Sequence, residues 1–232
     1  MKSYVLFPVV FIVSCWFSFG RSGPSPKITR EPVSADSCTF STVGHNDYFI
    51  LEPGYQLVLE GKEKGKTSRL AISVLNETRI IGGVETRIVE EKESVGGKLV
   101  EISKNFFAYC QETGSIFYFG EEVDMYKNEK VVSHEGAWIA EGKNKPGVVM
   151  PGKLMVGASY LQENAPGVAM DRARIISLRE NVETPSGTFT NCLKTEESSA
   201  LHPGEKEFKF YAAGIGLVKE EDLILVKYGF VK

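Results

Sequence analysis

Two groupings of charged side chains offer chemistry. Glu121, Glu122 and Asp124 lie close together, and His134-Glu135 follows within the same stretch. A turn at Lys127-Asn128-Glu129 would fold this stretch into a hairpin and bring its two ends together. Several carboxylate oxygens with one imidazole suit a divalent cation such as calcium or zinc. Glu121, Asp124, His134 and Glu135 are therefore the candidate metal set, and a metal-dependent or carboxylate-based hydrolase would build its site in 121–138. The competing reading is a solvated strand end, where Glu and Asp gather without any ion. Asp171-Arg172 is the second grouping, a carboxylate beside a guanidinium that could hold a polar ligand or form an ordinary surface ion pair. Trp138 and Tyr118 join these two as candidate binding residues, being large aromatics in strands that could line a cavity.

Catalysis has little else to draw on. The chain has three histidines, His45, His134 and His202, and the last sits in a Leu201-His202-Pro203-Gly204 turn. It contains no G-x-S-x-G elbow, no HExxH and no glycine-rich phosphate loop. No catalytic residue is assigned, and no cofactor is implied apart from the divalent cation. Cysteine adds one structural expectation. Cys38, Cys110 and Cys192 remain once an export segment carrying Cys15 is removed, so at most one bridge forms. Cys110–Cys192 would tie the two halves of the domain together.

The elements that must position these residues are strands. Short β-rich runs separated by Gly, Pro and Asn turns extend from Asp47 onward. Ser115 to Phe119 is apolar on both faces, as in a strand buried on both sides. Val168 to Glu180 reads as helix or strand by periodicity, and an internal repeat decides for strand. Arg69 to Val74 aligns with Ala173 to Leu178, Glu90-Glu91 falls near Glu196-Glu197, Phe107-Ala108 matches Tyr211-Ala212, and Gly114 to Phe117 matches Ile215 to Val218. The expected fold is all-β: two tandem antiparallel meanders, about ten strands, forming a barrel, half-barrel or sandwich. The boundaries follow. Residues 1–20 are a signal peptide, 21–46 a disordered lead-in, and 47–232 a single β domain. Within that domain repeat one covers about 54–120, an insert 121–151, and repeat two about 156–232.

Export rests on the first twenty residues. Lys2 precedes an uncharged apolar run from Tyr4 to Phe19, and Ser18-Phe19-Gly20 places small residues where a signal peptidase cuts. Ile12-Val13-Ser14-Cys15 offers a second cut, in which an acylated Cys15 would anchor the chain to a membrane. The net charge of −3, with no block of like charge, gives nucleic acid nothing to bind.

Pro185-Ser186-Gly187-Thr188-Phe189, Cys192-Leu193-Lys194-Thr195-Glu196-Glu197 and Tyr211-Ala212-Ala213-Gly214-Ile215-Gly216-Leu217 resemble a family of secreted bacterial all-β proteins. Tyr118-Phe119-Gly120-Glu121 and His134-Glu135-Gly136-Ala137-Trp138 look like the same family, with Ala213 where it has proline. The resemblance spans about 46–232. It implies export to the periplasm or the exterior and an all-β domain, and it attaches no activity. The expected function is an exported cell-envelope protein that binds a small apolar molecule, a lipid or an envelope partner, with the hydrolase as alternative.

Overall fold

The structure, a computed structural model, describes residues 34–231. Residues 1–20, expected as a signal peptide, and Cys15 within them lie outside the described residues. After one 3-10 turn at Ala35–Ser37 every element is a strand: β1 (Phe40–Ser41), β2 (Gly44–Asn46), β3 (Phe49–Leu51), β4 (Tyr55–Glu63), β5 (Lys66–Ile81), β6 (Val84–Val95), β7 (Lys98–Cys110), β8 (Ile116–Lys127), β9 (Lys130–Ser133), β10 (Trp138–Ile139), β11 (Gly147–Met150), β12 (Ser159–Leu161), β13 (Asp171–Thr184), β14 (Gly187–Ser199), β15 (Glu207–Ala212), β16 (Gly216–Glu220) and β17 (Leu223–Phe230). The ambiguous segment after Val168 is thus strand β13.

One antiparallel sheet carries nearly all of them, in the order β10-β8-β7-β6-β5-β4-β17-β16-β15-β14-β13-β12. It does not close into a barrel. β1 adds to β7, β9 and β11 add to β8, and β2 and β3 make a separate ribbon. The order contains two five-strand meanders, β4 to β8 and β12 to β16, laid side by side in the same sense with β17 between β4 and β16. The ladders give the equivalences. Val89 pairs with Asn105 and Asn105 with Glu121, while Thr195 pairs with Lys209 and Lys209 with Glu220. Hence Val89, Asn105 and Glu121 in one copy correspond to Thr195, Lys209 and Glu220 in the other. Glu91, opposite Ser103, corresponds to Glu197, opposite Glu207. The expected matches of Glu91 with Glu197 and Phe107 with Tyr211 hold. The first strand of the alignment shifts, because Ile72 faces Glu91 as Ala173 faces Glu197. The last strand shifts as well, because Tyr118 faces Phe107 as Leu217 faces Tyr211.

The insert covers the outer edge of β8. Asn128 and Glu129 adopt φ of 52° and 63°, the paired left-handed conformations of a two-residue hairpin turn, and lead from β8 into β9. The stretch expected as a Gly/Pro-rich loop contains β11, which pairs with Ile116 to Tyr118. Beyond β11 the two ends of the sheet approach. Lys145 bridges to Asn164, its amide donating to the Asn164 carbonyl at 2.9 Å. Side chains from both copies pack into one core that includes Leu59, Val89, Phe107, Ile175, Leu193 and Leu225.

Two expectations are corrected here. Residues 34–46, expected as lead-in, belong to the fold: β1 pairs with β7, and Cys38 forms a disulfide with Cys110, Cα atoms 5.2 Å apart. Cys110 and Cys192 are therefore not bridged, and Cys192 is a buried free thiol. The reason is topological. Six strands separate β7 from β14 along the sheet, whereas the β1–β7 ladder aligns Phe40 with Cys110.

Candidate functional site

Alternation along the strands places an unusual set of residues inside the curl. On β6, Val89, Glu91 and Glu93 share a face; on β7, Glu101, Ser103, Asn105 and Phe107 do. Glu121 on β8 and Trp138 on β10 face the same way, since Glu121 pairs with both Asn105 and Trp138. From the second copy come Thr195 and Glu197 on β14, Glu207, Lys209 and Tyr211 on β15, and Glu220 on β16. Tyr160 and Gln162 enter from the β12 end. These charged residues occupy the parity that carries the apolar core. Protein surrounds them, yet Glu91, Glu101 and Glu121 retain some surface that water reaches, as side chains facing an internal space do.

That space is a cavity of about 110 Å³. Its wall is apolar for the most part, with Phe49, Leu57, Ile72, Phe107 and Leu217, and Glu91, Gln162, Lys209 and Glu220 supply its polar side. A smaller cleft of about 70 Å³ lies beyond, bordered by Glu93, Glu207, Arg69 and Leu223. Glu220 lines both, so the carboxylate layer stands between the apolar cavity and this second cleft.

Lys209 neutralises the second copy. Its Nζ lies 3.1 Å from Glu197 Oε2 and 3.1 Å from Glu220 Oε1. Burial alone would lower its pKa, but these two carboxylates hold it well above the usual lysine value. Gln162 Nε2 donates to the other Glu197 oxygen at 3.0 Å. Asn105 holds the equivalent position in the first copy. Its Oδ1 accepts from Tyr118 Oη at 2.5 Å, and its Nδ2 donates to the Val89 carbonyl and to Ser103 Oγ, each at 3.3 Å.

The carboxyls around it titrate high. Burial, and beyond it the neighbouring glutamates, push Glu91 up to about 7 and Glu93 to about 8. Burial raises Glu207 to about 7 as well. Glu121 is driven well above the carboxylate range by burial and then by Glu163. Glu163 rises to about 7 through burial and Asp171, against a hydrogen bond from Trp138 Nε1 at 3.4 Å. Three buried side-chain polar atoms among the described residues have no hydrogen-bond partner. Two of them, Tyr160 Oη and Thr195 Oγ1, belong to this interior. A buried polar atom left unpaired costs about 1–3 kcal/mol.

The chain matches no family model, no curated protein and no solved structure.

The expected site residues divide by face. Glu121 lines the interior, whereas Asp124, three residues along a regular ladder, points outward. Asp124 meets His134 there, Oδ1 to Nδ1 2.9 Å, and that ring also hydrogen-bonds to the Val123 carbonyl. Glu135 is exposed, and its backbone N–H donates to Ser133 Oγ. The four do not form one metal centre. Among the described residues, the one trio of Cys, His, Asp or Glu with ligating atoms within 4.8 Å of one another is Cys38, Cys110 and Glu112, whose sulfurs form the disulfide. Trp138 and Tyr118 do come together at the interior, ring centroids 5.3 Å apart. Asp171 stands near Glu163, while Arg172, its strand neighbour, is exposed on the other face. The residues that sequence reasoning passed over are Glu91, Glu93, Glu163, Glu197, Lys209 and Glu220. A signal existed: Glu91 and Glu197 recur in the repeat at a parity shared with Val89 and Leu193.

Proposed function

We propose that this protein is an exported binding protein that holds a small molecule inside the curled sheet, without catalysis. One observation carries the reading: the largely apolar cavity of about 110 Å³ abuts a layer of enclosed carboxyls where Tyr160 Oη and Thr195 Oγ1 lack partners. Natural interiors satisfy their polar atoms, and a ligand is a natural partner for those left over. The size limits the occupant. An apolar protein cavity of about 150 Å³ accommodates benzene, so the cavity suits a short hydrocarbon body, and a whole lipid would require the sheet to open. The disulfide supports an oxidising compartment and hence export. The resemblance to secreted bacterial proteins points the same way.

Native mass spectrometry of protein recovered from its own cell envelope, beside the denatured mass, tests this. Added mass present only in the native spectrum is the expected result, and its value gives the ligand class. A bare native mass, together with failure to take up small apolar probes, would return the protein to a structural or partner-binding role. The denatured mass also fixes the N-terminus, as a start at Arg21 or an acylated start at Cys15.

A further inference from the structure

We infer that the ligand of this interior carries a protonated amine, held beside Asn105 between Glu91 and Glu121 as the Lys209 ammonium is held between Glu197 and Glu220. The inference rests on the binding reading above and adds the charge of the ligand. The two copies are the warrant. Their ladders superpose Glu91 on Glu197, Asn105 on Lys209 and Glu121 on Glu220. The second copy fills its carboxylate pair with an internal ammonium at 3.1 Å from each. The first copy keeps both carboxylates and replaces the ammonium with a neutral amide. The groups acting most strongly on Glu121 are burial, Glu163, Tyr118, Glu91 and Glu101, and none is a cation. Glu121 has the Tyr118 hydroxyl beside it, and Glu91 feels Lys209 from the other copy. Among the described residues, however, no cation pairs with both as Lys209 pairs with Glu197 and Glu220, and a ligand that brings one would complete the equivalent pair.

A metal ion fits less well. Calcium needs six to eight oxygens at about 2.3–2.6 Å, and these carboxylates do not converge even as a trio within 4.8 Å. An ammonium needs only two or three acceptors at hydrogen-bond distance. It also needs a place for its carbon chain. Glu91 lines the cavity with Ile72, Val74 and Phe107, so a chain attached to the amine would enter apolar surroundings directly. Tyr160 Oη and Thr195 Oγ1, both buried and unpaired, offer further oxygens in the same interior.

The experiment uses the full mature chain with its disulfide intact, at about pH 8, and three probes of one length: n-hexylammonium, n-hexanol and hexanoate. Titration calorimetry is expected to show n-hexylammonium binding at least tenfold tighter than either other probe. Glu91→Gln should remove most of that preference. Asn105→Lys, which supplies the ammonium internally, should abolish it. If Asn105→Lys does not fold, Glu121→Gln serves in its place and should weaken n-hexylammonium at least fivefold. Equal binding of the three probes, or tighter binding of hexanoate, overturns the charge assignment and leaves a binding protein for neutral or acidic ligands. No binding by any probe, with a bare native mass from the envelope, overturns the binding reading itself.

Discussion

Lys209 bears the electrostatics of the interior. It lies against Glu197 and Glu220, and it is the cation that moderates Glu91, Glu93, Glu163 and Glu207. Lys209→Met keeps much of the stem and removes the charge. The expected outcome is a loss of about 3 kcal/mol in urea unfolding at neutral pH, because two enclosed carboxylates lose their partner. Adding Glu197→Gln and Glu220→Gln to Lys209→Met should recover part of the loss, and an unchanged midpoint in the single variant would show that the layer is well hydrated. At this scale the sequence was only partly legible. Strand parity is readable, while Tyr118 and Trp138, named as aromatics in strands that could line a cavity, pack against each other and are not among the residues of its wall. The glutamates went unread because charge on a strand normally marks the solvent face, and here Glu91 and Glu93 continue the buried face of Val89. The Cys38 bridge was missed for a different reason: the chain before residue 47 has the composition of a tail, and only its ladder with β7 pins it.

Among the elements, β11 holds the most delicate position. It pairs with β8 on one side and lies against the β12 region on the other, where a Cβ on Gly147 would collide with the Gln162 carbonyl. Gly147→Ala must therefore push apart the two ends of the sheet. A loss of about 1–3 kcal/mol is expected, together with faster amide exchange in β11 and β12 and weaker ligand uptake. Wild-type exchange in both strands would mean that this junction is looser than the backbone contact implies. The meanders themselves were legible from the repeat, since turn residues and alternation recur in the same order in each. Their joining was not. Self-similarity says that two units exist, and it is silent on which edges meet; only the β17–β4 ladder, Leu225 opposite Leu59, decides that.

For the whole molecule, the carboxylate layer sets a pH dependence opposite to that of most surface-acid proteins. A glutamate in an unfolded chain titrates near about 4.3, while Glu91, Glu163 and Glu207 titrate at about 7 and Glu93 at about 8 in the fold. Across that window the folded chain retains protons that the unfolded chain has released. Stability therefore falls as pH rises through it and is greatest at its acid end, near about pH 5. Melting temperatures measured between about pH 5 and pH 9 should decline, and a flat or rising profile would place these side chains in bulk water. The position of β17 has a consequence for the order of synthesis. Two half-sheets, each made of consecutive strands, are synthesised with the outer edges of β4 and β16 lacking a partner strand. Within the sheet order they are joined through residues 223–230, made after every other strand described. The β4 edge thus stays open from its own synthesis until residues 223–230 are made, while the β16 edge waits only a few residues, so the first half-sheet is the one that must be shielded from other chains until β17 arrives.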